Sequence, residues 1–318
     1  MSRATLSSLF CTAFLAMFSV SHLDAQKLTE ASFRTNTQMV LVPVNVIDHD
    51  GKTIEGLRAQ DFAVFDDQYP QQIASFTNED APCSVGLVLD ISGSMRYALN
   101  TTKAIAQAFF KTANPEDEFL MLTVSTLPDA AAGFTRDTDA LQQNIQSTTP
   151  GGMTALLDTV YLGLSRMRKA TRPHRAMLIL SDGMDNESRY SKGELMRLAL
   201  EADVQVYTIL VDGLPGGGSS RAPFVPSMIA KPGQQAAERQ GPLTLEELSD
   251  KTGGLHFHVR NESEGTDAAV KAARALRNQY VIGYQAPDSG LAGKWHRVRV
   301  KANVPKVHVY ARNGYYAQ

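Results

Sequence analysis

The chain has 318 residues, 43% of them hydrophobic, and a formal net charge of −2. That length allows two domains with ordinary cores. With no basic excess and no Lys/Arg run, nucleic acid and anionic membrane are not expected partners.

Residues 1–25 read as a secretory signal peptide. Arg3 supplies the positive end, and the apolar region from Leu9 to Val20 is too short to span a bilayer comfortably. Cleavage is expected after Ala25, although Leu23 is larger than ideal at the −3 position; a retained anchor is the alternative. Cys11 has no lipobox context, so no lipoprotein is expected. After cleavage only Cys83 remains, which excludes an internal disulfide and reads as a small core residue. The expected location is secreted or periplasmic, in the cell envelope, with no integral membrane span after cleavage.

Residues 39–48 alternate as a strand, and Pro43 suggests an edge position or a bulge. Asp48–Gly51 is a turn whose hairpin partner should follow. Strands over 61–67 and 72–76 complete a small β segment at 33–80, and the polar joint 78–82 marks a boundary. From Val85 the rhythm changes. Strands at 85–89, 118–125, 176–181, 205–211 and 255–259 alternate with helices at 99–112, 139–146, 154–169, 192–202, 245–251 and 267–278. A short piece at 133–136 is a candidate extra strand. This alternation predicts an α/β domain over 83–278 with a doubly wound, mostly parallel sheet. Between Asp212 and Pro242 the pattern lapses, which reads as a long loop leaving the carboxyl edge of the sheet.

Strand patterns return at 279–285, 295–301 and 307–312, Asn313-Gly314 reads as a turn, and Tyr315-Tyr316 ends the chain. The first and last β segments each offer about three strands, too few for a stable sheet alone. They are therefore expected to build one small β-sandwich, 279–317 packing with 33–80, around the inserted central domain.

The chemistry lies at the end of the first parallel strand. Val85 to Leu89 is an apolar run that stops at Asp90, and Ser92 and Ser94 follow at alternate positions. A carboxylate and two hydroxyls at the carboxyl end of a strand sit where open α/β sheets bind ligands. They are hard donors, suited to Mg²⁺, Mn²⁺ or Ca²⁺ rather than to zinc or copper. Read alone, Asp-x-Ser-x-Ser is also an ordinary strand end with an N-cap serine. Two further stretches change that weighing: Gly151-Gly-Met-Thr-Ala-Leu156, which sets Thr154 at a helix start, and Ala176-Met-Leu-Ile-Leu-Ser-Asp-Gly183, a second buried strand ending in Asp182.

Together the three stretches resemble the von Willebrand factor A-type (VWA) domain with its metal-ion-dependent adhesion site (MIDAS). The resemblance implies a doubly wound VWA/Rossmann-like fold and a divalent cation, Mg²⁺ or alternatively Mn²⁺ or Ca²⁺. It implies Asp90, Ser92, Ser94, Thr154 and Asp182 as the metal ligands. Met153 departs from the commoner Gly-Gly-Thr, but Thr-Ala-Leu fixes the register. Residues 33–317 further resemble a secreted, VWFA-related bacterial family known chiefly from Acidobacteria. That second resemblance rests on Gly56-Leu-Arg-Ala-Gln-Asp-Phe62, Thr252-Gly-Gly254, Gln279-Tyr-Val-Ile-Gly-Tyr284 and Gly314-Tyr-Tyr-Ala317.

The function implied is an exported, non-catalytic binding or adhesion module. Its partner is a protein ligand presenting Asp or Glu to the metal. A structural scaffold domain of an envelope assembly is the alternative. A metal-dependent hydrolase with Asp90 as nucleophile fits less well. The position two residues on is Ser92 rather than a second acid, and neither Gly-x-Ser-x-Gly nor a phosphate-binding Gly-x-x-x-x-Gly-Lys-Ser/Thr loop occurs. His256 and His258 share a strand face but lack a third ligand nearby in sequence.

Overall fold

The structure is a computed structural model that describes residues 39–78, 80–130, 133–212, 234–286 and 293–317. The signal peptide reading of 1–25 lies outside the described residues.

The first strand is β1 (Met39–Asp48). After a short 3-10 turn at Ala59–Asp61 come β2 (Phe62–Asp66), β3 (Tyr69–Gln71) and β4 (Ile73–Thr77). The hairpin between β2 and β3 turns through Asp67 and Gln68, both with positive φ, which matches the twist of its flanking strands. The turn at Asp48–Gly51 has only a single bridge beyond it, Ile47 with Thr53, in place of the expected hairpin strand.

The central unit begins with β5 (Cys83–Asp90), followed by a 3-10 turn at Gly93–Tyr97 and α1 (Leu99–Phe110). Next come β6 (Glu118–Val124), β7 (Asp129–Ala130), α2 (Thr138–Ser147) and α3 (Leu156–Met167). β8 (His174–Ser181), α4 (Lys192–Ala202), β9 (Gln205–Val211), α5 (Gln234–Thr252), β10 (His256–Val259) and α6 (Glu262–Arg277) complete it. The chain ends with β11 (Tyr280–Gln285), β12 (Trp295–Ala302), β13 (Val307–Ala311) and β14 (Gly314–Tyr316).

The central sheet has the order β10-β9-β8-β5-β6-β7. Its first five strands run parallel, and only β7 is antiparallel. Every residue of β5 is buried, which explains why its sequence is a continuous apolar run rather than an alternating one. One apolar cluster, with Leu87, Ile105, Phe109 and Ala272, covers one face of the sheet. A second, with Val88, Leu156, Val160 and Leu195, covers the other. Cys83 is buried and free, as its reading as a core residue expected.

Local chemistry sets the helix starts. Ser191 and Glu194 form a reciprocal cap at α4, and Asn261 caps α6. Three helix starts differ from expectation. α6 opens at Glu262 rather than at 267. α3 starts at Leu156 rather than Thr154, because Ala155 is not yet helical. α5 starts at Gln234, so the last third of the expected 212–242 loop is helix; Pro242 lies inside it. Residues 213–233 are outside the described residues. The short partner of β6 is β7 rather than 133–136, of which only Thr135 forms a bridge, to Phe119.

The outer strands form two four-stranded sheets of mixed origin, β13-β1-β11-β4 and β14-β12-β2-β3. Each combines strands from before and after the central unit, and all of these pairings are antiparallel. The inner faces share one apolar cluster that includes Val42, Val44, Phe62, Tyr280, Ile282 and Val298. Pro43 is not on an edge strand. It pairs with β11 alone, because β13 joins β1 only from Val44 onward, so one side of the Pro43 backbone needs no ladder bond. Asn313-Gly314 is not a free turn: Gly314 opens β14, which pairs with β12.

A buried polar cluster joins these two sheets. Asp66 Oδ2 accepts from the hydroxyls of Tyr284 and Tyr315, both at 2.8 Å, and Asp66 Oδ1 lies 2.9 Å from His296 Nδ1. Burial and the Asp66 hydrogen bonds push both tyrosines well above their ordinary pKa. One carboxylate thus ties β2 to β11, β12 and β14. Asp66→Ala leaves two buried hydroxyls and His296 Nδ1 without that partner. It is expected to cost about 3–5 kcal/mol in urea unfolding; a loss under about 1 kcal/mol would show that the cluster contributes little.

Candidate functional site

The site is built from the ends of neighbouring strands. β5 lies between β6 and β8, with Leu89 opposite Thr123 on one side and Leu180 on the other. β5 ends at Asp90, which is fully buried. Asp90 Oδ1 accepts from the Ser92 backbone N–H at 2.9 Å, and Oδ2 accepts from the Ser181 hydroxyl at 2.6 Å. Ser181 is the last residue of β8, so the next residue, Asp182, emerges beside Asp90. The Ser94 hydroxyl hydrogen-bonds the Asp182 carboxylate, and the Ser92 and Ser94 hydroxyl oxygens are 3.1 Å apart. Four of the five expected residues therefore touch one another directly or through one neighbour.

Thr154 reaches the same edge on a loop tied down at several points. The Gly151 N–H donates to the Ile91 carbonyl at 2.8 Å, and the Gly93 N–H to the Gly152 carbonyl at 3.1 Å. The Met153 N–H donates to Thr126 Oγ1 at 2.9 Å. Gly152 has φ +82°, and a Cβ there would sit 2.9 Å from Thr126 Oγ1, so both backbone and space require glycine. The buried Thr154 donates its N–H to Asn186 Oδ1 at 2.9 Å and accepts from the Asn186 and Glu187 N–H groups. The loop after β8 thus holds both Asp182 and Thr154.

That loop carries residues the sequence reading passed over. α3 has Ala155 at its cap, with no side-chain acceptor. Asp185 supplies one from a distance: Oδ1 accepts from the Leu156 N–H at 2.9 Å and the Leu157 N–H at 3.4 Å. The Ser188 hydroxyl donates to the same oxygen at 2.6 Å. The signal was available as a second acid three residues after Asp182, but its use depends on a helix 29 residues earlier in the chain.

Electrostatically, the site is two acids without a cationic side chain. Burial first, and then the Asp182 charge, push the Asp90 carboxyl up to about 6. Burial likewise raises Asp182, against hydrogen bonds from the Met184 N–H and the Ser94 hydroxyl. Neither acid has an ion-pair partner among the described residues. The groups brought together here, two carboxylates and the hydroxyls of Ser92 and Ser94, with Thr154 on the adjoining loop, offer only oxygen donors, the kind a hard divalent cation takes.

The two histidines of β10 do not join this set. His256 lies 3.4 Å from Asp250 and His258 lies 3.9 Å from Asp212, both on the surface. Ligand atoms of Asp66, Asp67 and His296 lie within 4.8 Å of one another in the sandwich. There buried His296 Nε2 has no hydrogen-bond partner, unlike the supported imidazole of a usual metal site.

The raised Asp90 carboxyl makes stability depend on pH. The fold holds a proton at Asp90 up to about pH 6, whereas the unfolded chain releases it near 3.8. Stability without metal is therefore lost as pH rises between those values, by about 3 kcal/mol once above both. Asp90→Asn keeps the shape and removes the charge. In EDTA at pH 7.5 it is expected to be more stable than wild type by up to about 3 kcal/mol, and to match it near pH 4. Urea titrations at the two pH values check this; an equal difference at both would rule out the buried charge as the cause.

Residues 85–184 match the family model for the von Willebrand factor type A domain. An uncharacterised protein of Borreliella burgdorferi is 24% identical over 196 residues, which cover 57% of this chain and 55% of that protein; the chain thus spans about half the length of this curated relative. Among solved structures, a von Willebrand factor type A protein from Catenulispora acidiphila aligns with a TM-score of 0.49 and 12% identity, covering 89% of this chain and 74% of that one. The vWF domain of the type V pili tip protein Mfa5 from Porphyromonas gingivalis aligns with a TM-score of 0.46 and 14% identity, over 62% and 95% of the two chains. The matched stretch runs from the start of the apolar run in β5 to two residues beyond Asp182, and it lies in a parallel, helix-flanked sheet. Over residues 85–184 the chain therefore resembles the von Willebrand factor type A domain.

Proposed function

We propose that this protein is an exported, non-catalytic binding module that captures an acidic group of a partner protein through a divalent cation. Asp90, Ser92, Ser94, Thr154 and Asp182 would hold the cation, Mg²⁺ by preference or Mn²⁺ or Ca²⁺. The observation that carries this reading is a pair of acids, buried Asp90 and half-buried Asp182, beside serine hydroxyls with no basic side chain to balance them. A bound cation compensates their charge and, being ligated largely by neutral hydroxyls, retains an open position that attracts an external carboxylate. A nucleophilic role for Asp90 is disfavoured by its burial and by the hydrogen bonds that occupy both its oxygens.

The match to an A-type domain agrees with adhesion as the wider role. Export rests on the reading of residues 1–25, and no described helix is long and apolar enough to cross a membrane. Membership of the secreted, Acidobacteria-type VWFA-related family, over 33–317, belongs to the same proposal.

The test is calorimetric titration of Mg²⁺ and Mn²⁺ into the purified chain. Wild type is expected to bind one ion per chain, and Asp90→Ala none. Thr154→Ala loses one neutral ligand and is expected to bind about tenfold more weakly, with its unfolding midpoint little changed. Absence of heat with wild type, or equal uptake by Asp90→Ala, would remove the cation from the mechanism and favour the scaffold role.

A further inference from the structure

The loops around the acids carry most of the exposed large hydrophobic side chains. Eight such residues occur among the described ones, and five belong to this edge: Tyr97, Leu127, Met153, Tyr190 and Leu243, each 40–68% exposed. Tyr97 ends the 3-10 turn that carries Ser94, and Met153 adjoins Thr154. Leu127 follows Thr126, which binds the Met153 N–H, and its own carbonyl accepts from Ser125 Oγ. Tyr190 stacks on Tyr161 at 3.7 Å, and its N–H is held by Asp158 of α3. Leu243 follows Pro242, and a Cβ placed on Gly183 would meet Pro242 Cγ at 2.8 Å, so this turn of α5 lies directly against the residue after Asp182. Five separate stretches of chain therefore converge on one rim.

Single exposed hydrophobics are ordinary, but five around one buried charged centre form a patch of the kind that marks an interface. The rim carries ionised groups of both signs: Arg96 and Arg189 are exposed beside Tyr97 and Tyr190, Asp129 and Glu187 are exposed on the neighbouring loops, and Asp158 and Asp185 are half-buried there. A cation at Asp90 and Asp182 would offset much of the remaining negative charge. With a cation there, the complementary surface is one carboxylate set among apolar groups.

We infer that the partner presents its Asp or Glu within an apolar segment, which the rim of Tyr97, Leu127, Met153, Tyr190 and Leu243 grips while the carboxylate reaches the cation. This rests on the cation-dependent reading above and adds the chemistry of the partner's flanking residues. The metal supplies the fixed point, and the rim supplies the selectivity and much of the contact area, as apolar anchors do at the centre of interfaces.

An immobilised library of nonapeptides with a central Asp and randomised neighbours tests this, read with the full chain in Mg²⁺ and in EDTA. The second protein is the triple variant Tyr97→Ser, Leu127→Ser, Leu243→Ser, which leaves every proposed metal ligand in place and is checked for Mg²⁺ uptake by calorimetry. Wild type in Mg²⁺ is expected to enrich Leu, Ile, Phe, Tyr or Trp beside the Asp. EDTA should abolish binding, and the triple variant should bind the enriched peptides about tenfold more weakly with unchanged Mg²⁺ uptake. Binding of Asp peptides in Mg²⁺ whatever their neighbours, or undiminished binding by the triple variant, would overturn the rim while leaving the metal reading intact. Apolar peptides retained in EDTA, or without the Asp, would overturn the joint capture and count against the metal reading as well. Mg²⁺-dependent dimerisation without peptide would assign the face to a second copy and overturn the proposal.

Discussion

A buried carboxylate, Asp90, beside a half-buried one, Asp182, at the ends of adjacent parallel strands is the constraint around which the central domain is arranged. A charge in that position costs free energy unless something compensates it. The chain supplies only neutral donors, among them the Ser92 N–H, the Ser181 hydroxyl, the Ser94 hydroxyl and the Met184 N–H. These lower the cost without removing it, since the Asp90 carboxyl still stands at about 6. The surrounding loops must then be held rigidly enough to keep the acids together without a covalent tie. The loops after β5 and before α3 are joined through the pairs Gly151–Ile91 and Gly93–Gly152, and the loop after β8 clasps Thr154 from both sides. This arrangement trades stability for a poised site, as functional regions often do.

The outer sandwich is fastened to the central domain at several points. Asn45 of β1 donates to the hydroxyl of the buried Tyr207 in β9 at 3.1 Å. The Asn313 N–H donates to the Lys251 carbonyl at the end of α5, Arg312 pairs with Asp203 at 2.5 Å, and Arg277 pairs with Asp80. Ile47 joins the core cluster of the central domain, and Tyr310 packs against it. β1 and β11, which flank the central domain in sequence, are hydrogen-bonded neighbours in one sheet, and the central domain is fastened to that frame by a buried bond and surface pairs together.

The rim gives the same loops a second role. The side chains that leave the loops for solvent, Tyr97, Leu127 and Leu243, are apolar where a surface loop would ordinarily be polar, and no packing within the described residues buries them. Tyr190 is partly satisfied by stacking on Tyr161. A face that combines a charged centre with an apolar border discriminates by both electrostatics and shape, whereas either alone would accept many partners.

Much of the fold was legible in the residues. The fully apolar run of β5, the alternation of strand and helix and the Ser191–Glu194 cap signal follow from local periodicity and hydrogen-bond chemistry, which act over a few residues. The location of Asp90, Ser92, Ser94 and Asp182 at strand ends followed in the same way. Tertiary structure alone decided the rest. Pro43 could be placed only once β13 was seen to stop at Val44, because a ladder bond is lost only where a partner exists. Helix α5 reached back through Gly241 and Pro242, residues whose local preference is against helix, with Leu245 and Leu248 of the same helix fully buried in the core. Asp185 became a remote cap, and Asp66 a link among four strands, because hydrogen-bond partners separated by 29 to 249 residues leave no periodic trace in a single chain.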